Sequence, residues 1–206
     1  MGYIGKWRLY GGPRDRPIPT GPMRYGFDGP FMSNNCHINY APGKCFYWDE
    51  TGKKVFFQEW EPYGQTHQAL EFIDRAPKDK PFALFMSWHP PHDNKKIKGD
   101  PYPFGYDAPE ELLAKYDPKT LRLRPNVDDT PTRRLQYQGH MAMITGIDIA
   151  FGWLLEKLKE RGLEKNTLVV FTKNSPGIFH RAAGDSSMGA CRCADIERPS
   201  PYCFRG

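Results

Sequence analysis

The chain has 206 residues, of which 39% are hydrophobic, and a formal net charge of +5, so it is long enough for one domain with a core of its own. Its lysines and arginines are interleaved with acids and form no continuous basic run, which disfavours a nucleic-acid-binding protein. No run of about eighteen apolar residues is present, and a membrane-spanning helix is therefore excluded. The five cysteines are an odd number, so at least one thiol lacks a partner within the chain.

The first part of the chain is rich in glycine, proline and aromatic residues. Residues 1–63 are interpreted as long loops with short extended pieces, such as residues 54–57. The apolar residues of segment 65–76 then recur at helical spacing and predict a helix. The apolar run 82–86, which follows Pro81, is typical of a strand buried on both faces of a mainly parallel sheet.

A long amphipathic helix is the clearest element of the second half. Its apolar stripe consists of Ile144, Ile147, Phe151, Leu154 and Leu158. This spacing predicts a helix over residues 136–161 that Gly162 closes, with Asp148 buried on the apolar side. A short helix is expected before it at 109–116, and a second buried strand after it at 167–172. The order of these elements indicates an α/β fold with a mainly parallel sheet covered by helices.

Two residues stand at the predicted carboxyl ends of strands. His89 follows the strand predicted at 82–86, and Thr172 ends the one predicted at 167–172. Loops at such ends converge on ligands in open α/β sheets. His89 is therefore placed to hydrogen-bond an anion or to protonate a leaving oxygen. The alternative is an ordinary loop histidine that caps its strand.

The opening segment carries two cations, Lys6 and Arg8, on either side of Trp7. If this segment is extended, Lys6 and Arg8 point to the same side. They could then clamp a sulfate or phosphate, with Lys6 as a point charge and Arg8 as a planar fork. The alternative is an exposed basic strand that binds no ligand.

Three segments together resemble one enzyme family. Residues 2–9, which read Gly-Tyr-Ile-Gly-Lys-Trp-Arg-Leu, resemble the second sulfatase signature, and residues 81–92 resemble the family's strand that ends in H-x-P-H. Residues 139–172 are similar to the family's long helix and to the strand that leads into its second metal half-site. The resemblance implies a sulfuric ester hydrolase of the alkaline phosphatase-like α/β fold, whose mainly parallel sheet, flanked by helices, is incomplete in this chain.

The resemblance also implies the chemistry of a site. In this family a formylglycine, made from the cysteine or serine of a C/S-x-P-x-R motif, attacks sulfur beside a calcium or magnesium ion. Carried over by position, Lys6 contacts the sulfate, and His89 binds the sulfate or protonates the leaving group. Arg8 stands where the family usually has histidine. Because a guanidinium cannot accept a proton at neutral pH, sulfate binding is the role left to Arg8.

This sequence departs from the family pattern at the nucleophile and at the metal. None of its cysteines or serines stands in a C/S-x-P-x-R context, so no nucleophile is identified. The paired aspartates that would hold the metal are expected upstream of residue 1. At the second half-site Asn174 takes the usual aspartate position next to Lys173, and a neutral amide beside a positive charge predicts weak metal binding at most.

The sequence therefore predicts two parts, a partial sulfatase catalytic domain over residues 1–172 and an irregular or disordered tail over 173–206. Because the composition changes abruptly after Thr172, we hypothesise that the tail is a frame-shifted or mis-spliced reading rather than sulfatase sequence. The encoding DNA tests this hypothesis. It fails if neither alternative frame encodes an Asp-His-Gly or Asp-Asn-Gly continuation.

Three functions are compatible with these features. The first is a sulfatase whose parent enzyme cleaves sulfate esters of carbohydrates or aryl compounds, with the isolated chain inactive. The second is a phosphodiesterase or phosphonate hydrolase of the same superfamily. The third is a non-catalytic protein that binds sulfated glycans or other anions through Lys6, Arg8 and His89. The expected partner is a sulfated small molecule or carbohydrate. Family members are often secreted, periplasmic or lysosomal, and no compartment is predicted for this chain.

Overall fold

A sheet with the strand order β4-β3-β2-β1-β5 forms the centre of the protein. The computed structural model describes residues 1–77, 79–96, 98 and 105–172. The strands are β1 (Gly2–Lys6), β2 (Phe31–Asn34), β3 (Phe46–Trp48), β4 (Lys54–Phe56) and β5 (Leu84–Ser87). β1 pairs in parallel with both β2 and β5, whereas β3 is antiparallel to β2 and β4. The predicted α/β fold with a mainly parallel sheet is confirmed.

β1 is the middle strand of the three parallel ones, and its sequence suits that position. Ile4 is buried, and Gly5 has a φ of +133°. A Cβ atom at Gly5 would lie 2.2 Å from the Ser87 carbonyl oxygen, so glycine is what lets β1 and β5 approach this closely. β1 ends at Lys6, which brings that side chain to the carboxyl edge of the sheet.

The helices in the described residues are α1 (Glu61–Arg75), α2 (Glu110–Leu113) and α3 (Pro131–Glu160), with short 3-10 turns at Pro22–Arg24 and Glu164–Asn166. α3 begins with a proline in its first turn, and the Thr130 hydroxyl accepts a hydrogen bond from the Arg133 amide at 3.2 Å, which caps the helix. It closes before Gly162, whose φ is +67°, as predicted. α1 begins at Glu61, four positions before the predicted start, because Pro62 is well suited to a first helical turn.

The main core includes side chains from α1, α2, α3 and the loops that precede them. Its buried members include Tyr40, Tyr47, Trp60, Leu112 and Met143. The indole nitrogen of Trp60 donates a hydrogen bond to the Asp107 carbonyl oxygen at 3.1 Å, so the polar atom of this large ring is satisfied inside the core. A second apolar cluster, Trp7, Ile18 and Phe31, packs beneath the residues that follow β1 and fixes the exit of that strand.

Two expectations about strands need correction. The extended piece expected at 54–57 is β4, but residues 1–63 contain more regular structure than long loops, because β1, β2 and β3 also lie there. Residues 167–172 are not a buried strand: Leu168, Val170 and Phe171 are 72%, 70% and 59% exposed, and the segment pairs with no strand in the described part of the chain. An extended segment needs a hydrogen-bonded neighbour to become a strand, and Phe171 instead contacts Phe151 of α3, with ring centroids 5.1 Å apart.

The buried face of α3 also differs from the predicted stripe. Asp148 is exposed, and Ile144 is 42% exposed, whereas Ala142, Met143 and Ala150 are fully buried. The helix turns its small residues towards α1 and α2, because close approach of helices requires short side chains at the contact. Two members of the predicted stripe, Ile147 and Leu158, are buried as expected, and the other three lie partly to the side. Asp148 keeps its contact with solvent and needs no buried partner.

No helix in the described residues has both the length and the mean hydropathy that a membrane crossing requires. Cys36 and Cys45 are free thiols. Asn174, Lys173 and the predicted tail 173–206 lie outside the described residues.

Candidate functional site

The carboxyl ends of the parallel strands bring together residues that are distant in the sequence. Lys6 is the last residue of β1, and His89 comes two residues after the end of β5. Cys36 comes two residues after the end of β2. Because parallel strands end at the same edge of a sheet, these residues share one region. The positive charge of Lys6 contributes to lowering the pKa of His89, as expected for neighbouring groups.

His89 is fixed in one orientation by a buried carboxylate. Its Nδ1 lies 2.9 Å from Oε1 of Glu61, and both side chains are 0% exposed. The hydroxyl oxygen of Tyr47 lies 2.9 Å from the same nitrogen. Since a carboxylate accepts but cannot donate, Nδ1 carries a hydrogen and donates it to Glu61. The second ring nitrogen, Nε2, is thereby left to act on a ligand.

Glu61 is itself held by several donors. The Tyr47 hydroxyl and the Gln65 side-chain amide both donate to its Oε1, and its backbone amide donates to the Tyr40 carbonyl oxygen at 3.0 Å. Glu61 also stands in the first turn of α1, where the positive end of the helix dipole favours a negative charge. The local sequence folds this way because Pro62 starts the helix and Gln65 falls one turn after Glu61.

Glu61, Tyr47 and Gln65 were not predicted as site residues. The sequence carried one usable signal, the glutamate–proline pair followed by glutamine at the fourth position after Glu61. This spacing places the carboxylate and the amide on one face of a helix. Nothing in the sequence indicated that the face meets β3 and His89.

Burial governs the protonation of this cluster. It lowers the pKa of His89, while the Glu61 carboxylate opposes that change. Burial and the negative charge of Glu61 raise the pKa of Tyr47 well above its usual value, so the phenol stays protonated and remains a donor. Burial also lowers the pKa of Lys6, and the positive charge of Arg8 adds to that effect.

Two nitrogen groups of the site have no hydrogen-bond partner among the described residues, and the buried oxygens Oε2 of Glu61 and Oε1 of Gln65 also lack one there. Nε2 of His89 is buried and makes no hydrogen bond of good geometry there, although the Cys36 backbone is close enough to raise the pKa of the ring. The half-buried Lys6 ammonium likewise forms no hydrogen bond or ion pair with a described residue. Buried polar groups are normally satisfied. The Lys6 ammonium fits an anion, and His89 Nε2 also does so when the ring is protonated, because Nδ1 already uses the hydrogen of the neutral ring.

The other predicted site residues lie further out. Arg8 is exposed beyond the end of β1, and its charge reaches Lys6, so it stands at the solvent side of the same region. Thr172 is exposed and ends no strand, which removes the reason for placing it at the site. Asn174 falls outside the described residues.

The described residues do not fit a calcium site. Calcium prefers several oxygen ligands, but Glu61, the carboxylate nearest His89, has only its Oε2 free, because protein donors already bind its Oε1. The metal-type cluster found in the described part of the chain is His37, His92 and Asp93, and two of its three side chains offer nitrogen. The Cys36 thiol, whose pKa burial raises, donates to Asn34 Oδ1 at 2.9 Å and lacks the activation of a nucleophile.

One protein-family model matches most of this chain. The family model described as Sulfatase matches residues 1–173. The chain belongs to the sulfatase family. Its fold is of the alkaline phosphatase-like type.

Two curated relatives of this sulfatase chain are bacterial proteins that are themselves named sulfatases. It is 32% identical over 135 residues to an endo-4-O-sulfatase of Bacteroides thetaiotaomicron, a match that covers 62% of the chain and 25% of the relative. It is 31% identical over 176 residues to an ulvan-active sulfatase of Formosa agariphila, covering 84% of the chain and 32% of the relative. The chain thus spans about a quarter to a third of the length of these relatives.

Solved structures give the same family. One of them comes from work on the metabolism of multiple glycosaminoglycans by Bacteroides thetaiotaomicron. It superimposes on this chain with a TM-score of 0.63 at 26% identity, over 80% of this chain and 37% of that one. A sulfatase of Bacteroides fragilis superimposes with a TM-score of 0.62 at 26% identity, over 81% of this chain and 38% of that one.

Proposed function

We propose that the sulfatase to which this chain belongs hydrolyses sulfate esters of carbohydrates, and that this chain contributes its sulfate-binding residues Lys6 and His89. The observation that carries the proposal is the convergence of the Lys6 ammonium and His89 Nε2 at one sheet edge, each without a partner among the described residues. Sulfate is small and negatively charged, and it accepts several hydrogen bonds. It therefore satisfies both groups at once.

Each residue has a distinct role in this proposal. Lys6 holds a non-bridging sulfate oxygen as a point charge. His89, protonated at Nε2, gives its proton to the ester oxygen that leaves the sulfur. Glu61 stabilises the imidazolium and keeps the ring in place through the 2.9 Å contact to Nδ1. Because burial lowers the pKa of His89, the protonated ring is a stronger acid than a solvated histidine and releases its proton more readily.

The carbohydrate part of the proposal rests on the relatives. One of them is named an ulvan-active sulfatase, and the structure from Bacteroides thetaiotaomicron concerns glycosaminoglycans. Both names refer to sulfated polysaccharides, and the half-open position of Lys6 beside exposed Arg8 suits a sulfate displayed on a larger molecule.

The described residues supply neither a calcium site nor a C/S-x-P-x-R nucleophile, so we propose that the isolated chain binds sulfate esters without hydrolysing them. A bound calcium ion would stabilise charge on the sulfate oxygens, and the residues described here offer it no oxygen cage. The reaction of the whole enzyme therefore depends on groups beyond these residues.

Titration calorimetry of the 206-residue chain with N-acetylgalactosamine 4-sulfate tests binding. Lys6→Ala and His89→Gln should each weaken it about tenfold to hundredfold, as expected for loss of a charge-assisted hydrogen bond of about 1.5–3 kcal/mol. Lys159→Ala, at the exposed end of α3, is the control and should bind normally. Binding that survives Lys6→Ala unchanged would place the anion elsewhere.

Sulfate release, measured by ion chromatography with calcium and with chelator, tests turnover. We expect none from the isolated chain under either condition. Calcium-dependent release that disappears in Lys6→Ala and His89→Gln would show that the chain carries a complete catalytic centre, and the proposal of binding without hydrolysis would be wrong.

A further inference from the structure

A positively charged cavity of about 660 Å³ adjoins the candidate site. Five of its lining residues are cationic, namely Arg14, Lys44, Lys95, Lys96 and Lys98, against one acid, Asp15. The volume lies within the range of small-molecule sites.

The walls of this cavity are held by specific hydrogen bonds. The Lys95 amide donates to the Ile38 carbonyl oxygen at 2.7 Å, and the Asn39 side chain donates to the Lys95 carbonyl oxygen at 2.9 Å. The amide of the buried Asn94 donates to the Gly105 carbonyl oxygen at 2.7 Å. The backbone of the loop that carries Lys95 is thus fixed against the loop that follows β2.

The cavity lies beside the strand ends that carry Lys6. Asn34 is the register partner of Lys6 in the sheet, and Cys36, two residues further along the chain, lines the cavity. The charge of Arg14, another lining residue, contributes to lowering the pKa of Lys6. This proximity is what lets one extended ligand reach both places.

We propose that this basic cavity is a subsite for a second anionic group on the same glycan, so that the preferred ligand is a chain with several negative charges. This inference rests on the proposed function, because the reacting sulfate is placed at Lys6 and His89. Five like charges around one cavity repel one another, and an anionic group placed among them relieves that repulsion. A glycan with a charge on successive sugars can place one sulfate at Lys6 and a second anionic group among these cations.

Fluorescence anisotropy with a labelled chondroitin 4-sulfate hexasaccharide tests the subsite. Lys44→Ala combined with Lys95→Ala removes one cation from each wall. We expect about a three- to tenfold loss of hexasaccharide affinity at low salt, as expected for two exposed ion pairs, and a weaker dependence on salt. Lys115→Ala combined with Lys119→Ala removes the same charge from exposed positions outside the cavity and should change little.

The ligand series separates this inference from the proposed function. In the cavity double variant, binding of N-acetylgalactosamine 4-sulfate should be unchanged, whereas Lys6→Ala should weaken both ligands. If Lys6→Ala acts as expected but the cavity variant binds the hexasaccharide normally, the subsite is wrong and the proposed function stands. If the two double variants weaken the hexasaccharide equally, binding reflects net charge only and the subsite is also wrong.

A desulfated hexasaccharide, which keeps its carboxylates, identifies the group in the cavity. If the second group is a sulfate, the desulfated ligand should show no difference between wild type and the cavity variant. If the cavity variant still binds the desulfated ligand more weakly than wild type does, the group in the cavity is a carboxylate. If the cavity variant weakens the hexasaccharide while Lys6→Ala has no effect on it, the cavity does not extend the site at Lys6, and the inference is overturned.

Discussion

Glu61 and His89 lie 2.9 Å apart with both side chains removed from solvent. Burying a charged pair is costly, and such a pair adds little to stability compared with apolar residues of the same volume. The pair instead orients the imidazole ring of His89, because the hydrogen bond to Glu61 occupies Nδ1 and leaves Nε2 available to a ligand. The pair is thus explained better by the position it gives the imidazole than by its contribution to folding.

Replacing Glu61 by glutamine tests this role. The carboxylate raises the pKa of His89 against the effect of burial, so Glu61→Gln should lower the pKa of His89 further. Loss of a hydrogen bond to a buried charge should also reduce the free energy of unfolding by about 2 kcal/mol. NMR titration of the histidine ring protons measures the first effect and denaturant unfolding the second.

The control for this variant is Glu59→Gln, which removes the partner of His67 at the surface, where the two side chains are 38% and 48% exposed. An exposed pair contributes little, and the unfolding free energy should hardly change. If Glu61→Gln left the His89 titration where it was, the carboxylate would not be the group that supports the imidazolium.

Part of this site could be predicted from single residues. Lys6 and His89 were found from their local sequence and the family resemblance, and the structure brings them to the same edge. Glu61, Tyr47 and Gln65 were missed because each acts through contacts that join β3, α1 and the loop after β5. Such contacts leave no trace in the local pattern of any one segment.

At the level of elements, the glycines of α3 decide how closely the helix packs. A Cβ atom at Gly146 would lie 2.4 Å from the Trp60 ring and 2.9 Å from Leu112, whereas one at Gly152 would meet nothing within 4 Å. Both glycines are unfavourable for the helix itself. Packing therefore explains why residue 146 is a glycine, whereas nothing in the packing requires a glycine at residue 152.

These two glycines make a matched pair of substitutions with opposite outcomes. Gly152→Ala should raise the free energy of unfolding by about 0.5–1 kcal/mol through helix propensity alone. Gly146→Ala should lower it by about 1–3 kcal/mol, because the added methyl group overfills the core against Trp60. Thermal or urea unfolding monitored by circular dichroism measures both. Equal stabilisation in the two variants would mean that α3 does not pack against Trp60 as described.

The elements that were predicted correctly are those with long patterns. α1 and α3 span several turns, so their apolar spacing could be recognised, and β5 was found as an apolar run. β2 and β3 have only four and three residues, too few for an alternating pattern to be distinguished from a loop. Residues 167–172 have the composition of a strand, but composition cannot supply the neighbouring strand that pairing needs.

For the molecule as a whole, the buried histidine predicts how stability depends on pH. The folded state lowers the pKa of His89, so the unfolded chain binds a proton more readily near the ordinary histidine pKa of about 6.5. The contribution of neutral His89 to the free energy of unfolding is therefore present above about pH 6.5 and is lost as the pH falls below that value. The hydrogen bond from Arg134 lowers the pKa of Asp129, and that contribution is lost only in a more acidic range.

Melting temperatures between pH 7.5 and pH 5 check this expectation. The wild-type chain should melt at a lower temperature at pH 5, and His89→Gln should show a smaller difference between the two pH values. One group can change the slope by at most about 1.4 kcal/mol per pH unit. His67→Gln, at an exposed histidine, should behave like wild type. An unchanged slope in His89→Gln would assign the pH effect to other groups.

The position of β1 between its two parallel partners also sets an order of events during folding. β1 pairs with β2 after a short stretch of chain, as in Tyr3 with Phe31, but its other edge waits for β5, as in Gly2 with Leu84. Pairings between distant segments are slow because the intervening chain must first be ordered. A chain in which β1 is paired with β2 alone would have Lys6 in place and His89 still unplaced. The anion site that we propose is therefore complete only once β5 has docked against β1.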